Sequence, residues 1–198
     1  MTFTDPDVPV PGGLRTAEFV LRPLTAADAV ADWEAVMETA AELRGWEQTG
    51  WPADDFTADE NRDDLRGLEE RHAAHRAFTF TVLDAATGEC IGCVYLFPTS
   101  ARFLAAATVT PVADGAWTEV DGVVYYWVRA SRAGDGSDRV LLSALRRWLR
   151  EDWDFSQPAF VTSAAFDRQR DALAAAGLRE AFQLTEPDKP EPYVVYAE

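Results

Sequence analysis

The sequence predicts one α/β domain with a mixed, mostly antiparallel sheet of about six or seven strands and flanking helices. Two observations predict it. Apolar runs typical of strands alternate with segments of helical periodicity around one antiparallel hairpin. In addition, no linker or internal repeat divides the 198 residues. The first 13 residues are rich in proline and glycine, so we expect an extended arm there and the domain over 14–198.

The first half of the chain predicts a strand, two helices and a hairpin. A short strand is expected at 19–21, and the capping box of Thr25 and Asp28 opens a helix with apolar positions through 37. A second capping box, Thr57 and Glu60, opens a charged helix that reaches about residue 75. Strands at 77–83 and 89–97, joined by a turn, form the hairpin.

The second half predicts further strands and helices around one loop. The stretch 98–119 is poorly patterned, with a weak strand signal at 105–110. An apolar strand, an arginine- and glycine-rich turn and an amphipathic helix follow over 123–148. We then expect a strand at 159–162, a helix at 167–176 that Gly177 ends, and strands at 178–184 and 193–197.

Composition excludes several classes of partner. The formal net charge is −16, which argues against binding to nucleic acid, because a phosphate backbone requires a basic surface. The sequence contains no run of about 18 apolar residues and no secretory signal pattern, so we expect a cytoplasmic protein that does not bind membranes. Whether it forms a homodimer is left open.

Two cysteines and two histidines suggest a metal or redox site. Cys90 and Cys93 have C-x-x-C spacing, and His72 and His75 lie upstream. The segment around the cysteines reads as a strand, however, where residues three apart point to opposite faces. We therefore interpret both cysteines as buried small hydrophobic residues and predict no metal site. A zinc or redox protein remains the remote alternative.

The segment from Val123 to Trp148 is typical of a phosphate-binding element. In a strand–turn–helix of this kind, glycines allow close approach of the backbone, and the first N–H groups of the helix point at an anion. Residues 129–150 also hold six arginines against two aspartates. Arginine suits phosphate oxygens, although cations are also favoured at a helix C-terminus.

Four segments in this order resemble the GCN5-related N-acetyltransferases (GNAT). They are Leu21–Asp28, the hairpin G-x-x-I-G at 88–92, Tyr126–Arg129 with its glycine turn, and Ala172–Leu178. The nearest branch acetylates N-terminal and small amines. The resemblance implies the single-domain acyl-CoA N-acyltransferase fold, acetyl-CoA as the acyl donor and a primary amine, of a small molecule or a peptide, as the acceptor. The cofactor residues that it implies are Val128, Arg129, Arg132, Gly134, Gly136, Ser137, Asp138 and Arg139.

Two positions depart from the family pattern. Asp138 stands where the family loop ends in glycine or alanine, and its carboxylate can cap the helix in competition with a pyrophosphate. Leu173 stands where many members have a tyrosine that protonates the leaving thiolate. The alternative function is therefore a catalytically silent member that binds acyl-CoA or an amine as a sensor.

The resemblance also implies a direct attack of the amine on the acetyl thioester. The backbone N–H near Val128 is expected to polarise the thioester carbonyl, as in an oxyanion hole. Asp121 and Glu119, near the start of the same strand, are the candidates for the general base, unless both are solvated loop acids. Tyr126 or Tyr125 is the candidate for the acid, although buried tyrosines often serve packing only.

Aromatic and acidic residues alternate in the connection 44–56, which we expect to line the acceptor site. Trp46 and Trp51 are the candidate substrate-binding residues, because aromatic rings beside acids can surround a cationic amine. Tryptophans that pin a loop to the core would produce the same pattern.

Overall fold

The computed structural model describes residues 2–198. The strands in this range are β1 (Leu14–Arg15), β2 (Phe19–Pro23), β3 (Phe78–Asp84), β4 (Cys90–Phe97), β5 (Thr108–Pro111), β6 (Gly122–Val128), β7 (Pro158–Ser163), β8 (Arg179–Thr185) and β9 (Tyr193–Ala197). The helices are α1 (Ala29–Glu38), α2 (Ala40–Glu47), α3 (Ala58–Ala73), α4 (Arg102–Ala106), α5 (Ser137–Glu151) and α6 (Asp167–Ala175).

The strands form one sheet in the order β1-β2-β3-β4-β6-β7-β9-β8-β5. All neighbours are antiparallel except β6 and β7, so the predicted mixed, mostly antiparallel sheet is confirmed. The sheet has more strands than the six or seven expected, because β1 is too short to show a two-residue period and the four-residue β5 gave only a weak signal. In the poorly patterned stretch, α4 precedes β5, so the strand there begins three residues later than predicted.

The parallel pair β6–β7 separates part of the way along. Its paired positions are Gly122 with Pro158, Val123 with Ala159 and Val124 with Phe160. Beyond Val124, β6 keeps its pairing with β4 to Val128, while β7 continues along β9. A cleft therefore opens between β6 and β7 beyond Val124. The chain leaves β6 at this cleft and continues into the loop 129–136 and α5.

The two faces of the sheet carry separate core clusters. Tyr126 and Val128 pack with α5 and α6 on one face, whereas Tyr125 and Trp127 pack with α1, α2 and α3 on the other. This alternation follows from the two-residue period of β6. β6 consequently contributes side chains to both cores, one beneath each group of helices.

A β-bulge at Ile91 makes the prediction that Cys90 and Cys93 point to opposite faces of the sheet wrong. Val82 pairs with Gly92 and Leu83 pairs with Cys90, so one residue of β4 is extra. Cys90 and Cys93 therefore lie in the same cluster, not on opposite faces. The rings of His72 and His75 instead pack on Phe78, in the other cluster. The four residues do not form one site, and no group of three or more His, Cys, Asp or Glu side chains within 2–198 is arranged to hold a metal.

The segment before β1 has no helix or strand over residues 2–13, but it is not detached from the core. The ring of Phe3 lies 5.7 Å from that of Phe78 and 6.0 Å from that of Phe155. None of the helices between residues 2 and 198 has the length and apolar character needed to cross a membrane.

Candidate active site

The cleft leaves one edge of β6 open at Val128. The N–H of Arg129 donates to the Ile91 carbonyl of β4 at 2.9 Å. Successive residues of a strand point their backbone groups to opposite sides, so the N–H of Val128 points away from β4 and into the cleft. The geometry thus leaves the N–H of Val128, a residue that is only 5% exposed, without a partner on β4.

Tyr126 and Gln169 lie on the α5–α6 side of this cleft. The side-chain amide of Gln169 donates to the Tyr126 carbonyl at 2.8 Å, and both side chains are buried. The Tyr126 hydroxyl has no hydrogen-bond partner among residues 2–198. Burial raises the pKa of Tyr126, and the Asp138 carboxylate adds to the rise. The hydroxyl is therefore neutral at physiological pH and buried without a partner in the described part of the chain. Leu173, at the position of the family tyrosine, is fully buried.

The loop 129–136 and the first turn of α5 carry two aspartates on backbone donors. The Ser137 N–H donates to Asp135 at 2.8 Å, and the Arg139 N–H donates to Asp138 at 2.8 Å. The side-chain and backbone hydrogen bonds from Ser137 hold the pKa of Asp135 below its usual range. Gly136 has a φ of +89°, a conformation that favours glycine, and ends the loop. Carboxylates thus occupy two of the N–H groups that an anion at this helix terminus would use.

Two of the candidate arginines are held in ion pairs. Arg129 contacts Glu38 at 2.6 Å and Glu89 at 3.0 Å, and its side chain is only 12% exposed. Arg132 contacts Asp84 at 2.8 Å. These pairs connect the end of β6 and the loop to α1 and to the β3–β4 hairpin. The structure therefore brings the candidate residues from Val128 to Arg139 together but engages Arg129 and Arg132 with acids.

The groove between α5 and α6 holds the remaining positive charge of this region. The charged residues that line a cavity of about 530 Å³ there are one acid, Glu151, and four arginines, Arg139, Arg146, Arg147 and Arg150. Arg146 and Arg150 contact Glu198, whereas Arg139 and Arg147 have no ion-pair partner within the described range 2–198. An anion in this groove would meet a net positive surface in an otherwise acidic protein.

A second cavity, of about 460 Å³, lies on the opposite face of the sheet, beneath α1, α2 and α3. Its aromatic lining includes Trp46, Trp51, Tyr95, Phe97, Phe103, Tyr125 and Tyr193. Both predicted substrate residues contact it, with Trp46 only 5% exposed and Trp51 partly buried. We call this space the aromatic cavity.

The charged lining of the aromatic cavity is mostly acidic. The carboxylates belong to Asp32, Glu47, Asp64 and Glu186, and the cations to Arg71 and Lys189. Lys189 donates to the Glu47 backbone carbonyl and lies 3.4 Å from its carboxylate. Burial raises the pKa of Glu186, and the Lys189 ammonium opposes that rise. With all these groups ionised, the lining carries two negative charges more than positive ones, which favours a cationic ligand.

The structure places Asp121 and Glu119 away from this cavity, just before the start of β6, which is the end that pairs with β7. The Asp121 carboxylate accepts from the Gln157 N–H at 2.6 Å, and Glu119 accepts from the Ala116 N–H at 3.4 Å. Both side chains are exposed. As general bases they stay predictions, but neither borders the cavity or the open end of the cleft.

Sequence reasoning missed Asp32, a buried acid in the cavity wall. A signal for it was present: Ala29, Asp32, Ala35 and Val36 share helical spacing, so the acid lies on the buried stripe of α1. A charged residue in an apolar stripe is rarely fully buried without a reason.

Solved structures of other proteins show which fold this chain has. No family model and no curated protein matches the chain. Among solved structures, RimJ of Mycobacterium smegmatis in complex with CoA-disulfide is similar at a TM-score of 0.70 and 21% identity, covering 94% of this chain and 85% of that one. The ribosomal-protein-S5-alanine acetyltransferase of Vibrio fischeri is similar at a TM-score of 0.68 and 19% identity, covering 94% and 95%.

A third structure supports the same assignment of the fold. RimL, a ribosomal L7/L12 alpha-N-protein acetyltransferase in complex with coenzyme A, is similar at a TM-score of 0.68 and 14% identity, covering 96% of each chain. The likeness extends over nearly the whole of each chain. The chain therefore has the acyl-CoA N-acyltransferase fold that the sequence predicted.

Proposed function

We propose that this protein, built on the acyl-CoA N-acyltransferase fold, transfers an acetyl group from acetyl-CoA to a primary amine. The observation that carries the proposal is the aromatic cavity, whose excess of carboxylates favours an ammonium. This cavity includes Tyr125 of β6 in its wall, three residues from the open N–H of Val128. The acceptor is a small-molecule amine or the N-terminus of a peptide or protein.

The residues of the cleft fit a thioester donor. Bound acetyl-CoA supplies an acetyl group activated as a thioester. The Val128 N–H would donate to the thioester carbonyl oxygen and stabilise the negative charge that develops there. The unpaired Arg139 and Arg147 would hold phosphate groups in the α5–α6 groove. Tyr126 would keep its proton at neutral pH and donate it to the leaving sulfur.

The acceptor would enter from the other face of the sheet. Aromatic walls such as Trp51 and Tyr193 attract a cation through their ring faces, and the surrounding carboxylates offset its desolvation. An ammonium must lose a proton before it attacks, so the cavity also needs a proton acceptor near β6.

A thiol-release assay with acetyl-CoA, run over a panel of primary amines and N-terminal peptides, tests the proposal. We expect amine-dependent release of CoA together with an acetylated amine detected by mass spectrometry. Calorimetric titration with acetyl-CoA separates the alternatives. Binding without turnover on any amine would favour a silent acyl-CoA-binding member, and no binding would contradict both functions.

The silent alternative is favoured by the carboxylates of the loop. Asp135 and Asp138 occupy backbone donors at the start of α5, and Leu173 supplies no proton. The carboxylates would weaken the binding of a pyrophosphate, and the leucine would slow the departure of the thiolate. Neither would prevent binding in the α5–α6 groove.

Replacing Asp138 by glycine is expected to strengthen the binding of coenzyme A. The change frees the Arg139 N–H and removes a negative charge from the helix N-terminus, so the Kd should fall roughly tenfold, equivalent to about 1–2 kcal/mol. Calorimetric titration of both proteins with coenzyme A measures it. The matched control is Asp59→Gly, in the first turn of α3, which should leave the Kd unchanged. An equal or higher Kd for Asp138→Gly would contradict a phosphate site at this helix terminus.

A further inference from the structure

Asp32 is the carboxylate of the aromatic cavity that no cation neutralises. Its side chain is 4% exposed and forms part of the cavity wall. No arginine, lysine or histidine of residues 2–198 lies within ion-pair distance of it. Of the two cations in the lining, Arg71 acts on the Asp64 carboxylate, and Lys189 acts on those of Glu47 and Glu186. Because burying an unpaired carboxylate is costly, a cationic ligand is the partner that would complete this site.

A buried asparagine holds the Asp32 carboxylate in place. The Asn61 side-chain amide donates to Oδ2 of Asp32 at 2.9 Å and to the Ala29 carbonyl at 3.0 Å. Asn61 is only 1% exposed, so its position is determined by packing between α1 and α3. The second oxygen, Oδ1, has no hydrogen-bond partner within the described part of the chain and remains available to a ligand.

Asp32 lies over the part of β4 that pairs with the open end of β6. Its charge acts on Cys90, Cys93 and Tyr95. Within this stretch, Cys93 pairs with Trp127, and Gly92 pairs with Val128.

A side-chain hydrogen bond also joins β4 and β6 on this face of the sheet. The Trp127 indole N–H donates to the Tyr95 hydroxyl at 3.3 Å. The carboxylate and the proposed carbonyl-polarising N–H of Val128 are therefore at the same end of the same strand pair.

We propose that Asp32 binds the ammonium of the acceptor and accepts its proton, with Asn61 as the positioning residue. The inference rests on the proposed function and assigns its base to α1, not to Asp121 or Glu119. One proton passes from the ammonium to Asp32, and the neutral nitrogen forms its bond to the acetyl carbon as the carbon–sulfur bond breaks. Tyr126 gives its proton to the leaving sulfur, the second proton of the nitrogen restores the Tyr126 hydroxyl, and Asp32 returns its proton to the solvent.

The protonation of Asp32 suits this role. Burial raises its pKa to about 6, the hydrogen bond from Asn61 opposes the rise and the charge of Asp28 adds to it. The carboxyl is thus ionised at neutral pH yet is a stronger base than an exposed aspartate. The other titratable or charged groups around it are Cys90, Cys93 and Tyr95 on β4, Asp64 and Arg71 on α3, and Glu47, Glu186 and Lys189 across the cavity.

Steady-state kinetics of Asp32→Asn test the base directly. We expect kcat to fall roughly 100- to 10,000-fold, the range of a lost general base, with the acidic limb of the pH–rate profile abolished. The matched control is Asp63→Asn, an exposed acid of α3 paired with Arg66, which should keep the wild-type kcat. Wild-type kinetics in Asp32→Asn, or loss of turnover in Asp121→Asn alone, would overturn the inference.

Two binding and stability measurements keep the inference testable without turnover. Wild type should bind 2-phenylethylamine at least tenfold more tightly than Asp32→Asn does, whereas both should bind the neutral 2-phenylethanol equally. The raised pKa means that wild type loses stability as pH rises from 3.8 towards about 6. The melting temperature of Asp32→Asn relative to wild type should therefore rise across that window.

The kinetic and binding measurements test the acetyltransferase function and the ammonium site at Asp32 separately. Absence of turnover in wild type, with charge-selective amine binding that depends on Asp32, would contradict the acetyltransferase function and support the ammonium site. Turnover in wild type with amine affinity independent of Asp32 would support the function and overturn the site.

Discussion

Trp46→Ala is expected to destabilise the protein by about 3–5 kcal/mol, because the substitution removes a large aromatic side chain from the core and leaves a cavity. Trp46 is 5% exposed, and its ring lies 6.0 Å from that of Tyr125 and 6.4 Å from that of Tyr95. Chemical denaturation measures the loss. The structure thus supports the role of Trp46 in holding α2 to the sheet, in addition to its place in the cavity wall.

Trp46→Phe is the matched variant. It keeps an aromatic ring and removes an indole N–H that is buried without a hydrogen-bond partner in the range 2–198. We expect less than half of the stability loss of Trp46→Ala. Equal losses for the two variants, or a loss below about 1 kcal/mol for Trp46→Ala, would contradict a core position.

Trp51→Ala should separate binding from folding. Trp51 is partly buried and packs against Phe56 at 5.9 Å. Removing its ring face from a bound ammonium should raise the KM for the amine roughly tenfold, equivalent to about 1–2 kcal/mol, with kcat nearly unchanged. Steady-state kinetics with a protonated amine measure the change. An unchanged KM would show that Trp51 does not contact the acceptor.

Gly92→Ala is expected to cost roughly 3 kcal/mol, because β4 and β6 are too close to accommodate a side chain there. A Cβ at Gly92 would lie 2.2 Å from the Trp127 carbonyl oxygen, and backbone atoms cannot move aside as a side-chain end can. Relief of this clash would shift β6 at Val128, so turnover should fall with stability. Thermal unfolding and thiol release measure the two effects.

The matched control is Gly45→Ala in α2, where nothing lies within 4 Å of the added Cβ. Alanine in a helix interior is favoured over glycine by roughly 0.5–1 kcal/mol, so this variant should be neutral or slightly more stable. A melting temperature of Gly92→Ala equal to that of Gly45→Ala would disprove the close approach of the two strands at this position.

Local signals allowed most of the fold to be predicted from the sequence. The capping box of Thr57 and Glu60 forms as expected, with the Thr57 N–H donating to Glu60 at 2.8 Å. The hairpin of β3 and β4 and the helix end at Gly177, with its φ of +84°, also follow from short-range patterns. These features depend on residues close in sequence, where turn and cap chemistry acts.

The parts that were missed depend on contacts between distant segments. The bulge at Ile91 places Cys90 and Cys93 on one face, and no residue pattern announces it. The ion pair of Arg129 with Glu38 joins residues 91 positions apart, so an arginine assigned to phosphate binding is instead engaged by an acid of α1. Likewise, the depth of Asp32 depends on Asn61, which is 29 residues away. Such pairings are decided by tertiary packing, which a single sequence does not display.

A crystal structure of the protein with coenzyme A would show whether the cleft and the aromatic cavity form one active site. We expect the pantetheine chain to lie in the cleft between β6 and β7, with its thiol beside the Val128 N–H and the phosphates towards Arg139 and Arg147. On the other face, the aromatic cavity should reach the thiol through the end of β6, with Asp32 facing it. A cleft closed by Gln169, with coenzyme A bound elsewhere or separated from the cavity by packed side chains, would contradict it.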